Sequence, residues 1–88
     1  MKLILTIIDD HDSDAVSQAL IKADLRVTRI ASTGGFFRRG STTLLIGVAD
    51  EKVEQAIEVI GENTTPRAEP GDHRATLFVI NIEHFIQV

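Results

Sequence analysis

The sequence predicts an α+β domain in which a four-stranded antiparallel sheet carries two helices on one face, in the order strand, helix, strand, strand, helix, strand. Three observations carry this. Four apolar runs have the length of strands, two stretches of helical period separate them, and only nine residues join the second strand to the third, too few for a crossover. The arrangement is the ferredoxin-like split βαββαβ. With 88 residues, the chain is one domain spanning 1–88. Its 43% hydrophobic content suits a packed fold rather than a disordered chain.

Lys2 to Ile8 reads as the first strand, and Thr6 alone interrupts the apolar run from Leu3, so both faces of this strand need cover. Asp9 to Asp14 turns the chain. Asp12 or Ser13 caps a helix running to about Ala23, with Ala15, Val16, Ala19, Leu20 and Ala23 on one stripe. Arg26 to Ser32 is the second strand, and alternation places Arg26, Thr28, Ile30 and Ser32 on one side. Thr42 to Val48 is the third, an antiparallel hairpin partner of the second, and Gly47 inside it marks a close approach to the backbone. Asp50 caps a second helix on which Val53, Ala56, Ile57 and Ile60 repeat at i, i+3, i+4 and i+7, and Gly61 stops it. A polar loop from Glu62 to His73 holds Pro66 and Pro70. Ala75 to Ile82 is the fourth strand, and the tail keeps Phe85, Ile86 and Val88. Two helices cover one face of such a sheet, and the other face is too apolar to stay wet, so an oligomer with that face inside is expected.

Charge is unevenly placed. The chain is −4 overall, yet between Asp24 and Asp50 stand Arg26, Arg29, Arg38 and Arg39 and no carboxylate, which leaves the remainder acidic. Within this block, Thr33 to Ser41 joins three glycines, two phenylalanines and two arginines. Glycines admit close backbone approach, arginines neutralise phosphate and an exposed aromatic face stacks a base. These are the needs of a nucleotide. Of Phe36 and Phe37, one is expected to face ligand and the other protein, because the rest of their loop is polar.

Other chemistries find less support. The acids of DDHDSD are consecutive and cannot all point inward, so they read as helix-capping groups rather than a metal site. His73 and His84 lack a visible nucleophile or paired acid, so no enzyme activity and no cofactor are expected. There is no cysteine, and MKLILTII runs directly into acids, unlike a signal peptide or a membrane span. A cytoplasmic protein is expected, without a membrane partner. Nucleic-acid binding is disfavoured by the aliphatic strands and the acidic balance.

RVTRIASTGGFFRRGSTTLLIGVADEKVEQAIEVI, with MKLILTII before it and ATLFVINIEHF after it, resembles the PII-like cyclic di-AMP receptors. The resemblance rests on RVT, STGGF, G-x-TT and LIGV at fixed spacing. It implies a homotrimer with a cyclic dinucleotide in each of three clefts between subunits, and no reaction catalysed. On matching positions, Arg26 and Thr28 contact the ligand, Gly35 and Phe36 hold it from the loop, Gly47 approaches through its backbone, and Phe78 supplies an apolar wall. Asp24 and Ser41 stand where the family usually has Asn in polar contact with the ligand. His73 and Arg74 replace a usual glycine pair, and the loop before them is short. A diverged trimeric regulator that binds AMP or ATP, or only a protein partner, is the alternative reading.

Overall fold

The computed structural model describes residues 1–33, 40–66 and 73–88, with side chains left aside at 31–33. Its elements are β1 (Lys2–Asp9), α1 (Asp10–Lys22), β2 (Arg26–Thr33), β3 (Ser41–Val48), a 3-10 turn at Asp50–Lys52, α2 (Val53–Glu62) and β4 (Ala75–Asn81). The sheet order is β2-β3-β1-β4, with every neighbouring pair antiparallel. This is the ferredoxin-like arrangement, and each strand falls within two residues of its expected bounds.

Period-two alternation divides the sheet. Ile4, Thr6 and Ile8 of β1 and Thr42, Leu44, Ile46 and Val48 of β3 are buried, together with Val16 and Leu20 of α1, Leu25, and Ala56 and Ile60 of α2. They form the core between sheet and helices. Each fully buried Leu or Ile there contributes about 1.5–3 kcal/mol. The intervening residues Leu3, Leu5, Thr43, Leu45 and Gly47 are only half-buried, and Phe78 and Ile80 of β4 are about half exposed at 53% and 45%. Phe78 thus lies outside the core, on the open face.

Both helix starts differ from the sequence reading. Asp9, extended at φ −62° and ψ 139°, caps α1 by accepting from the His11 N–H at 2.9 Å, so the helix begins ahead of Asp12 and Ser13. Those two residues are buried in the first turn. The Asp12 carboxylate accepts from the Thr65 N–H at 3.1 Å and the Thr65 hydroxyl at 2.6 Å, which ties the chain after α2 to α1. Asp10 accepts from the Thr42 hydroxyl, and Asp14 pairs with Arg29 at 2.9 Å. The acids of this run therefore serve helix, sheet and loop. Asp50 does not cap α2 either: its carboxylate lies 3.0 Å from the Met1 ammonium, which holds it below the usual carboxylate range. Gly61 remains inside α2, whose C-cap is Asn63.

One irregularity alters the second strand. The pairing of β2 with β3 runs in step from Arg26↔Gly47 to Arg29↔Leu44, then slips at a bulge so that Ala31 faces Thr43 and Ser32 faces Thr42. Arg26 and Thr28 share a face as expected. Beyond Arg29 the bulge shifts the register of the backbone pairing, and Ile30 falls at the shift without a partner in β3.

Candidate functional site

Register, rather than sequence proximity, assembles the candidate site. Arg26 opposes Gly47, Thr28 opposes Leu45, and Leu3 of β1 opposes Gly47 from the other side. All five residues point to the open face. The C-terminal tail joins them: the Ile82 N–H donates to the Met1 carbonyl at 3.1 Å, and the following residues line the same space. The result is a groove of about 500 Å3 whose walls are Met1, Leu3, Leu45, Ile82, Phe85 and Ile86, with Arg26, Thr28, His84 and Gln87 as its polar groups and Gly47 in its floor. Such a volume suits a nucleotide-sized ligand.

Three of the residues singled out from the sequence, Arg26, Thr28 and Gly47, are thus brought together. Among the described residues, none that lines the groove is acidic, although the chain as a whole is acidic. Of the two arginines among the described residues of the basic block, Arg29 is taken up by Asp14 and by the Ser13 hydroxyl at 3.2 Å. That leaves Arg26 as the permanent cationic side chain of the groove. At Gly47, an added Cβ would meet the Met1 methyl at 3.4 Å, so the close approach expected there is made by a flexible side-chain end.

The remaining site candidates lie elsewhere. Ser41 lines a smaller recess of about 230 Å3 at the opposite end of the hairpin, with Asp9, His73 and Arg74. Asp24 is exposed at the end of α1 and lines none of these spaces. Phe78 sits in one row with Thr28, Leu45 and Leu5, at the far edge of the sheet. Gly35, Phe36 and Phe37 lie outside the described residues, as do Arg38 and Arg39. Sequence reasoning missed the tail wall of His84, Phe85, Ile86 and Gln87, whose irregular backbone leaves no period to read.

The model of the cyclic-di-AMP receptor family matches residues 1–70. The chain belongs to that family. The match takes in Arg26, Thr28 and Gly47 and ends before β4 and the tail. Among solved structures, a functionally unknown protein from Pediococcus pentosaceus ATCC 25745 shares the fold, with a TM-score of 0.78 and 29% sequence identity. The alignment covers 99% of this chain and 96% of that one. Family membership makes this a nucleotide-binding signalling protein, and no helix among the described residues is long and apolar enough to cross a membrane.

Proposed function

We propose that this protein binds cyclic di-AMP in clefts between the subunits of a homotrimer and catalyses no reaction. The observation that carries the reading is the separation of the ligand-contact candidates within one subunit. Arg26 and Gly47 stand at one end of the β2–β3 hairpin, and Thr33 and Ser41 pair at the other, where the segment carrying Gly35, Phe36 and Phe37 departs. Six to seven residue steps separate these ends, about 20–23 Å at about 3.3 Å per residue. Phe78 is three strand spacings from Thr28, about 14 Å. One subunit therefore offers parts of a site, and a neighbour packed on the open face supplies the complementary parts. The half-exposed Phe78 and Ile80 provide the apolar driving force for that packing. The ligand state is then passed to a protein partner through the loop that leaves Thr33 and Ser41.

A second reading, a regulator that takes AMP or ATP, is favoured by the single permanent cationic side chain in the described groove. Calorimetric titration with cyclic di-AMP, cyclic di-GMP, ATP and AMP separates the two. Cyclic di-AMP is expected to bind most tightly, with one ligand per subunit. The same titration on Gly47→Ala is expected to lose about tenfold or more in affinity with an unchanged melting temperature, since the added methyl meets only the Met1 side-chain end. Tighter binding of AMP or ATP than of cyclic di-AMP would favour the second reading, and unaltered affinity in Gly47→Ala would remove Gly47 from the site.

A further inference from the structure

The groove's polar lining contains two residues, His84 and Gln87, that neither the family match nor the sequence motifs assign, and of the two only His84 can carry a charge. His84 follows the anchored Ile82 by two residues and lines the groove together with Arg26, Thr28 and Gly47. Among the described lining residues, β2 supplies Arg26, β3 contributes Leu45 and Gly47 and β1 contributes Leu3, none of them titratable apart from Arg26; the Met1 ammonium ahead of β1 is turned to Asp50, and the tail supplies His84 itself. Glu83, next to it in sequence, is exposed and does not line the groove.

A cyclic dinucleotide carries two phosphodiesters, each with one negative charge. The Arg26 guanidinium has a fork of donors suited to one of them. Arg29 is held by Asp14 and Ser13. We propose that His84 is the groove's second phosphodiester ligand, a donor that gains a full charge as pH falls and so makes binding pH-dependent. Histidine changes charge between about pH 5 and pH 8, and the protonated ring donates from both nitrogens. The proposal rests on the cyclic di-AMP reading above, because it needs a ligand with more than one anionic group to satisfy.

The test is titration of the full chain, wild type, His84→Gln and His84→Lys, with cyclic di-AMP and in parallel with AMP, at about pH 5.5 and about pH 8. Wild-type protein is expected to bind cyclic di-AMP about three- to tenfold more tightly at the lower pH. His84→Gln is expected to lose that response and bind no tighter than wild type does at the higher pH, whereas His84→Lys stays tight at both. A flat wild-type profile overturns the proposal, as does a pH response that survives in His84→Gln. If cyclic di-AMP fails to bind while AMP binds, the dinucleotide reading falls and the second-phosphodiester role falls with it, whereas a flat profile with cyclic di-AMP bound overturns the proposal alone. Absence of binding by both nucleotides at both pH values overturns both.

Discussion

Asp24 adopts a positive φ of 65°, which for a residue other than glycine needs a local reason. The reason is the end of α1. The Asp24 N–H donates to the Ile21 carbonyl at 2.9 Å, and the Leu25 N–H reaches back to the Leu20 carbonyl at 3.0 Å, the paired bonds of a Schellman motif. Leu25 and Leu20, the two apolar residues that accompany such a motif, are both buried. Asn and Gly are the residues that favour this position, so the amide usual in the family at this place has a backbone explanation as well as a ligand one. Asp24→Gly is expected to raise the unfolding free energy by about 0.5–1 kcal/mol in thermal melts. A fall in cyclic di-AMP affinity in the same variant would give the carboxylate the ligand role that the resemblance implies.

Between elements, the Asp12–Thr65 contact does what no helix stripe predicts. A buried carboxylate at 4% exposure accepts two hydrogen bonds from one residue, and this fixes the exit of α2 against the start of α1. Asp12→Ala leaves the Thr65 N–H without that acceptor and is expected to cost about 2–3 kcal/mol in denaturant unfolding. A loss within about 0.5 kcal/mol would mean that water replaces the carboxylate freely. The strands were legible because their apolar runs are long and the hairpin is short. Helix starts were not, because the run of four aspartates offers several equivalent caps and tertiary partners choose among them: Thr65 takes Asp12, Arg29 takes Asp14, and Asp9 is left to cap. Asp50 was misread for the same reason, its partner being the distant Met1 ammonium. The bulge near Ile30 has no residue signature of its own, so the register shift after Arg29 was not legible.

At the scale of the molecule, the open sheet face and the separated site residues belong to one account. The apolar character of that face was legible from β1, β3 and β4, and the structure leaves Phe78 and Ile80 half exposed on it. Arg26 and Thr28 were legible as a pair from strand alternation, whereas Gly47 joined them only through the resemblance, and the register that sets it opposite Arg26 is seen in the structure. The tail wall was not legible, since Ile82 is anchored by a carbonyl at the other end of the chain. The central claim is that Arg26 and the loop residue Phe36 meet across a subunit boundary, which complementation within mixed oligomers measures directly. Arg26→Ala and Phe36→Ala proteins, each expected to lose high-affinity cyclic di-AMP binding, are co-refolded in equal amounts and titrated. In a cyclic trimer with random mixing, about a quarter of the clefts then pair an intact Arg26 from one subunit with an intact Phe36 from its neighbour, so about that fraction of high-affinity sites should return. If oligomers containing both variants form and no high-affinity site appears, the two residues act within one subunit and the intersubunit account is wrong.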